Sequence, residues 1–571
     1  MDRGVRLRLQ LVILGVLAAL GALAARCYWI ALRRHDHYVE IADQQQLERY
    51  PEYAIRGEIR DREGRLLAIT RMVPSLSANP RVIADPKAVA RALAKVLGRP
   101  MDDILGRLVP REDASGKPAK AKHFVWLARH LEPAQAQAVR ALKIEGLELR
   151  DEPRRYYPHG AIAAHAIGFC GIDGGGLEGV ERAFDGELAG THGAFLHVRD
   201  ALRGQIRMPD ALGSPARDGS DVELTLDLAV QRIAEEELQA AVDEFPSQRA
   251  VAIVLDAPSG EILALACRPN YDPNDFGAAG RDAWRNTALV DAYEPGSTFK
   301  PLVAAVALEH KLFNLNATID CHQGHWQYRG RTLHDAHGMG VVSFAEVVVH
   351  SSNIGMAQIG LAIGEERLQR YLTIVGCGRE PEGLPSLGAS PGKITPKAQW
   401  SYYTQTSVPM GHEILVSPIQ LAGAINVLAA DGLWLPPRLV RAVTPAGGAR
   451  TPVGASLARA RALSRDTAEA MRGVMERVVE EGTGKRAQLT TVSVGGKTGT
   501  AQKIMPGGVY SHDHYVSSFV GFAPVDRPRV TVLVLLDDPV LPGEKPYGGR
   551  VAAPAASRII QRALAYLGES P

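Results

Sequence analysis

Residues 11–25 are uninterrupted apolar or glycine, and after Arg26 the run resumes as far as Leu32. Such a stretch has no polar face for water. Its backbone groups are satisfied away from solvent as a helix, and roughly 20 such residues cross a bilayer once. Arg26 lies near one end, where its aliphatic stem reaches the interface. Ala22-Leu23-Ala24 has the small residues of a cleavage site and Cys27 invites a lipoprotein reading, but Arg26 directly before Cys27 speaks against the lipoprotein. We read an uncleaved transmembrane helix over 11–32. Arg3, Arg6 and Arg8 precede it and Arg33 and Arg34 follow, so the positive-inside rule leans only slightly to an inside N-terminus.

The chain of 571 residues, 46% hydrophobic, has room for two or three domains and a large core. A net charge of +2 from 65 basic and 63 acidic residues gives no reason to expect a nucleic-acid partner. Cys27, Cys170, Cys267, Cys321 and Cys377 form no C-x-x-C pair, which argues against a zinc ribbon or a disulfide framework and leaves room for one bridge among the last four. Cys321, His322, His325, His334 and His337 make the densest metal-like group. Their spacing fits no standard zinc site, so they read as loop or core residues. No metal is assigned.

From 38 to 220, short strand-like runs alternate with Gly- and Pro-bearing turns. Residues 133–142 have a helical rhythm and 113–122 read as an exposed loop. No catalytic constellation stands out here. Three charged stretches do: Arg56-Gly57-Glu58-Ile59-Arg60-Asp61-Arg62-Glu63-Gly64, Arg155-Tyr156-Tyr157-Pro158-His159-Gly160, and Gly176-Leu177-Glu178-Gly179-Val180-Glu181. They read as ion-paired tight turns holding strands together.

A second regime begins near Asp221, with a helix over 227–243 and a hairpin of 250–255 and 261–266. The chain is then largely helical until a continuous apolar strand at 529–536 and a last helix at 553–567. Strands at both ends with helices between predict one sheet covered by helices, an α+β architecture.

Within that regime, Glu294-Pro295-Gly296-Ser297-Thr298-Phe299-Lys300 leads into the apolar run 301–308. A helix starting near Ser297 brings Lys300 back to the same face one turn later, an amine beside a hydroxyl. A desolvated lysine is one base able to activate a serine, and the N–H groups of a helix start favour developing negative charge. The pattern is cheap: Ser390-Pro391-Gly392-Lys393 matches it too, although its Pro and Gly read as a turn. Partners decide. Ser351-Ser352-Asn353 follows an amphipathic run, and there Ser351 could relay a proton and Asn353 could bond a peptide. Gly495-Gly496-Lys497-Thr498-Gly499-Thr500 follows 491–494, which alternates like a strand. A strand edge bearing a lysine and two threonines suits an added peptide ending in a carboxylate. The phosphate-loop pattern is not met, since position 491 is Thr.

S-x-x-K, S-x-N and K-T-G in this order resemble the penicillin-recognising serine enzymes. The three N-terminal stretches resemble the R-G-x-x-x-D-R-x-G, R-x-Y-P-x-G and G-x-x-G-x-E motifs of class B penicillin-binding proteins. The resemblance therefore covers nearly the whole chain and is nearest the division-specific (FtsI-type) group, with Tyr547-Gly548-Gly549-Arg550 in support. No stretch is available for the glycosyltransferase domain of the bifunctional class A type.

The resemblance implies a cytoplasmic tail (1–10), the membrane helix (11–32), a non-catalytic pedestal (33–220) and a periplasmic D,D-transpeptidase domain (221–571) on the bacterial inner membrane, at the septum. It implies Ser297 as nucleophile, Lys300 as a base kept neutral by partial burial and neighbouring cations, and Ser351 and Asn353 as relay and peptide holder. Lys497, Thr498, Gly499 and Thr500 would bind the terminal carboxylate, with the backbone N–H groups of Ser297 and Thr500 as oxyanion hole. Arg56, Gly57, Asp61, Arg62, Gly64, Arg155, Tyr157, Pro158, Gly160, Gly176, Gly179 and Glu181 would be structural. Implied partners are peptidoglycan stem peptides, β-lactams, the membrane, an FtsW-like SEDS glycosyltransferase and divisome proteins, with no cofactor. An elongation-specific relative, a D,D-carboxypeptidase or β-lactamase-like hydrolase, and a non-catalytic β-lactam-binding scaffold or sensor share these motifs. The loop 406–422 departs from the family pattern and leaves the wall it contributes undefined.

Overall fold

The computed structural model describes residues 3–38, 47–109, 123–199, 205–207, 214–454, 457–505, 507 and 509–568, so the loop expected at 113–122 lies outside the described residues. The chain forms two compact units, Met1–Ile55 with Gly190–Asp218, and Arg56–Ala189 with Gly219–Pro571.

In the first unit, helix α1 (Arg3–Tyr28) carries the apolar run and continues as a wider-wound turn through Trp29–Arg33. By length and composition Arg6–Arg33 is enough to cross a membrane, and none of it is buried by protein. Arg26 and Arg34 hold their guanidinium groups 4.8 and 4.7 Å from the centre of the Trp29 ring, a cation–π cluster at the end of the span. Strands Leu47–Glu52, Gly193–Arg199 and Gln205–Arg207 form a small antiparallel sheet.

In the second unit, Leu66–Ala78 is the spine of a seven-stranded sheet, pairing with Ile59–Arg60, Val125–Ala128 and Leu147–Tyr156. The helix expected near 133 runs over Pro133–Ala141. The three charged stretches are ion-paired, and the first two close tight turns. They meet in one buried ion cluster, which their separation in the chain conceals. Fully buried Glu181 accepts from Arg56 Nε and Arg155 Nε, each at 2.7 Å, and Cys170 Sγ and Tyr157 Oη point at the same carboxylate from 3.1 and 3.4 Å. Burial pushes the Glu181 carboxyl up, and Arg155 and Arg56 overcome it and hold the group below its usual range.

Gly179 opens the short helix Gly179–Ala183 that carries Glu181. Gly176 lies so close that a Cβ would sit 2.0 Å from the Glu181 carbonyl oxygen. Gly160 closes the turn after Tyr157-Pro158, its N–H donating to the Tyr157 carbonyl at 3.2 Å. Asp61 closes the turn at Gly64 by accepting from the Glu63 and Arg65 N–H groups, and its other oxygen takes the Leu228 N–H at 3.1 Å. Arg62 reaches Glu261 at 3.5 Å.

The sheet that carries the site has five antiparallel strands, β1 (Arg249–Asp256), β2 (Ile262–Arg268), β3 (Gly495–Ile504), β4 (Tyr510–Ala523) and β5 (Val530–Asp537), in the order β2-β1-β5-β4-β3. Helices cover both faces, which is why β1 and β5 read as unbroken apolar runs. Val251, Ile253 and Leu255 join the core beneath α3 (Lys300–Glu309) and α6 (Pro418–Ala429). Alternate residues Ala250, Ala252 and Val254 join the core with α2 (Leu228–Glu244) and α8 (Ala553–Tyr566) on the other side.

Two expectations are corrected. Residues 491–494 are irregular, and the strand begins at Gly495. The paired glycines belong inside it because the rings of Phe522 and Phe519 come within 2.7 and 2.2 Å of where their Cβ atoms would be. The stretch after α3 is not mainly helical: Thr318–Asp320 pairs with Val341–Ser343, and His325–Tyr328 pairs with Arg331–His334. Short β-branched and aromatic runs around Gly330 favour hairpins there.

Glu181→Ala would leave two buried guanidinium groups without their shared anion. Breaking a buried pair in this way costs about 3–5 kcal/mol, so denaturant unfolding should show a loss of that order, with earlier proteolysis between residues 56 and 189.

Candidate active site

Ser297 lies in a 3₁₀ turn, Gly296–Phe299, that runs directly into α3. Pro301, in the first turn of α3, costs no hydrogen bond there. Ser297 is half-buried, and its hydroxyl makes no hydrogen bond to another described residue. Phe299 and Lys300 are fully buried.

The Lys300 amine turns toward the second motif rather than to Ser297. It donates to the Ser351 carbonyl at 2.6 Å, to Ser351 Oγ at 3.1 Å and to Asn353 Oδ1 at 2.8 Å. Burial drives the amine down to about 7, against the Asp335 carboxylate, which supports the charged form. The causes expected from sequence are thus revised: burial is complete, and the neighbouring charge that acts on Lys300 is an anion. The cationic influence runs the other way, with burial first and Lys300 second pushing Lys497 well below the usual lysine range.

Ser351 sits between α4 (Phe344–Val349) and α5 (Asn353–Ile363) with φ +61°, a left-handed conformation uncommon for a side chain. In that conformation both its carbonyl and its hydroxyl meet the lysine. Asn353 is already engaged at both ends of its amide, with Nδ2 donating to the His334 carbonyl at 2.9 Å.

Asp335, which no motif marks, organises this corner. It accepts from Ser352 Oγ at 2.6 Å and from the N–H groups of Asn353 and Ile354 at the start of α5, where an anion is favoured. The metal-like group disperses around it: Cys321 Sγ lies 3.3 Å from Ser352 Oγ, and His325 Nδ1 faces His334 Nδ1 at 3.0 Å across a hairpin. Cys170, Cys267, Cys321 and Cys377 are buried single thiols.

The K-T-G stretch occupies the edge strand β3, the geometry for adding a peptide strand. The Ser297 turn packs onto it at Gly499, where a Cβ would lie 2.9 Å from Thr298 Cγ2 and 2.7 Å from Ser518 Oγ. Fully buried Lys497 donates to Thr483 Oγ1 at 3.4 Å and to the Thr498 carbonyl at 3.3 Å, and the Thr483 and Thr498 hydroxyls share a hydrogen at 2.7 Å. Thr483 escapes sequence reasoning, although its flanking Gly482 and Gly484 are a signal of a tight approach. Thr500 Oγ1 accepts from the Gly548 N–H at 3.0 Å, so the Tyr547-Gly548-Gly549 stretch closes on the same strand.

Glu294 ties the Ser297 turn to two further segments. Its carboxylate accepts from Tyr510 Oη at 3.0 Å, pairs with His412 Nδ1 at 2.9 Å and accepts from the Glu413 N–H at 2.8 Å. Burial raises its pKa, and His412, Glu413 and Tyr510 outweigh that and hold it low. The 406–422 loop, undefined from sequence, is thus pinned to the residues before Ser297. The Gly296 N–H also donates to the Gly411 carbonyl at 3.0 Å.

Residues 250–561 match the penicillin binding protein transpeptidase domain and residues 51–224 the penicillin-binding protein dimerisation domain. The chain belongs to the penicillin-binding protein transpeptidase family, in its class B group. Its FtsI-type resemblance holds in the comparisons. It is 33% identical to the probable peptidoglycan D,D-transpeptidase PenA of Neisseria meningitidis, over 99% of this chain and 93% of that one. It is 29% identical to the peptidoglycan D,D-transpeptidase FtsI of Escherichia coli, over 97% and 91%. Penicillin binding protein 3 from Mycobacterium tuberculosis, solved in complex with aztreonam, superposes with a TM-score of 0.70 at 28% identity, over 91% of this chain and 98% of that one.

With its pKa near 7 in the folded state against 10.5 for an ordinary lysine, Lys300 binds fewer protons folded than unfolded between those values. Its contribution to stability therefore rises with pH across that window and is least favourable below it. The Nζ resonance of Lys300, assigned by its loss in Lys300→Arg, should titrate with a midpoint near 7. Asp335→Asn removes an anion that supports the charge, and the midpoint should fall.

Proposed function

We propose that the protein is a peptidoglycan D,D-transpeptidase that cross-links stem peptides through an acyl-enzyme on Ser297, acts in septal wall synthesis and is acylated by β-lactams. The observation that carries this reading is the buried amine of Lys300, held by Ser351 and Asn353 one turn from Ser297 and beside an edge strand bearing Lys497, Thr498 and Thr500.

In this reading the donor peptide lies along β3, its terminal carboxylate held by Lys497, Thr498 and Thr500, with Gly499 giving the turn its close approach. Neutral Lys300 takes the proton of Ser297 Oγ as the oxygen attacks the carbonyl between the two terminal D-alanines. The backbone N–H groups of Ser297 and Thr500 hold the oxyanion, and removing such a donor typically costs about 3–4 kcal/mol. The C–N bond then breaks, and the departing amine receives the proton through Ser351, which already accepts from Lys300. An amine of a second stem peptide attacks the ester, gives up its proton along the same route, and Ser297 is released. Asn353 holds the donor amide while bridging Lys300 and His334.

We read residues 1–10 as a cytoplasmic tail, 11–32 as the inner-membrane span, 33–220 as the pedestal and 221–571 as the periplasmic transpeptidase domain at the septum. An FtsW-like SEDS glycosyltransferase and divisome proteins are its partners. A fluorescent fusion should gather at mid-cell, and spread along the lateral wall would favour the elongation-type reading.

After incubation with labelled penicillin, intact-mass analysis and peptide mapping should place one adduct on Ser297, and none in Ser297→Ala. Acylation should rise with pH through about 7 as Lys300 loses its proton, and Lys300→Ala should slow it by about 10²–10⁴-fold, the range of a lost general base. Label surviving Ser297→Ala would sink the assignment. Release of D-alanine with water as the only acceptor would make the enzyme a carboxypeptidase.

A further inference from the structure

The fold divides the metal-like group of the sequence. Cys321 turns to Ser352 Oγ, and His322 stacks on Trp326 with ring centres 5.9 Å apart. His325 and His334 meet instead, Nδ1 to Nδ1 at 3.0 Å, and both residues are exposed.

The hairpin builds this pair. Arg329 and Gly330, with φ +49° and +86°, make the two-residue turn that joins His325–Tyr328 to Arg331–His334, and the register sets His325 directly opposite His334. Just beyond them the Asp335 N–H donates to the Gly324 carbonyl at 3.1 Å. Alternation along the ladder therefore makes 325 and 334 a non-hydrogen-bonded pair, the kind whose side chains stand closest. Two neutral imidazoles placed so share one hydrogen between their Nδ1 atoms. A tetrahedral divalent ion with metal–nitrogen bonds of about 2.0–2.1 Å holds two ring nitrogens about 3.3 Å apart. An opening of about 0.3 Å would admit it, the shared hydrogen moving to Nε2 of its own ring.

The pair also borders the candidate site. The His334 carbonyl accepts from Asn353 Nδ2 at 2.9 Å, and Asn353 Oδ1 accepts from Lys300 Nζ at 2.8 Å. Next in the chain is Asp335, whose carboxylate takes the N–H groups of Asn353 and Ile354. We propose that His325 and His334 bind one divalent transition-metal ion of the imidazole-binding kind, and that the ion, by fixing the open end of the hairpin, speeds acylation of Ser297. Among the described residues no third His, Cys, Asp or Glu side chain joins the pair, so water completes the shell and the ion exchanges with solution. The site stands on the pair itself, and the effect on acylation rests on the reading of Ser297 as nucleophile.

The test uses the untagged full chain in detergent, stripped with chelator, and Zn²⁺ as probe, titrated by calorimetry while acylation by labelled penicillin is timed at each concentration. One ion per chain is expected. His325→Gln and His334→Gln should each weaken binding by at least about tenfold, the least that losing even a supporting partner costs a metal site. Acylation should quicken by about fivefold as the site fills, the low end of coupling between two sites. His325→Gln should remove that gain and leave the rate without zinc unchanged. Absence of saturable binding, or binding indifferent to both variants, overturns the site. Binding that obeys the variants while acylation is unmoved or slowed overturns the coupling alone. Absence of acylation both with and without zinc overturns the nucleophile reading and leaves the binding result standing.

Discussion

The burial of the Lys300 amine is the constraint on which the rest of the site depends. A charged amine would be costly there, so the surroundings set its charge rather than accommodate it. α3 delivers the side chain into the core, Ser351 turns through a left-handed conformation to receive it, and Asn353 starts the next helix against it. Asp335 does two jobs at once: it satisfies the first N–H groups of α5 and keeps Lys300 from falling further in pKa. Loss of that carboxylate would disturb the helix start and the base together.

The sheet supplies the other half of the arrangement. With both faces covered by helices, its interior strands are immobilised by packing, and β3 remains at the edge. Close approach at Gly499 sets the Ser297 turn onto that edge, and Glu294 fastens the 406–422 loop and Tyr510 around it. The candidate site residues thus come from three distant parts of the chain, brought together by packed elements rather than by free loops.

Much of this was legible in the sequence because its signals are local. A helix start at Ser297, the hairpin of β1 and β2, the apolar runs of β5 and α8 and the membrane-length helix all follow from periodicity and turn residues within a short window. The three motifs named Ser297, Lys300, Ser351, Asn353 and Lys497 because each is a short pattern with a chemical meaning. What stayed hidden depends on long-range contact. Asp335 and Thr483 belong to no pattern and gain their roles from what folds against them. Arg56, Arg155 and Glu181 read as parts of ion-paired tight turns, but that one buried carboxylate is shared by the two arginines leaves no trace in sequence. The start of β3 was placed too early because 491–494 alternate as a strand does, although the chain there is irregular and pairing begins at Gly495.

The two buried lysines have a consequence for anything that enters beside them. Burial lowers the pKa of both, Lys300 to about 7 and Lys497 in the same direction with the Lys300 charge adding to it. In the reading proposed above, a carboxylate held at Lys497 would supply the counter-ion that burial withholds and favour the protonated amine. On that reading, recognition of the anion would be coupled to protonation: the groove would gain charge together with its guest, and its affinity would vary with the acidity around it.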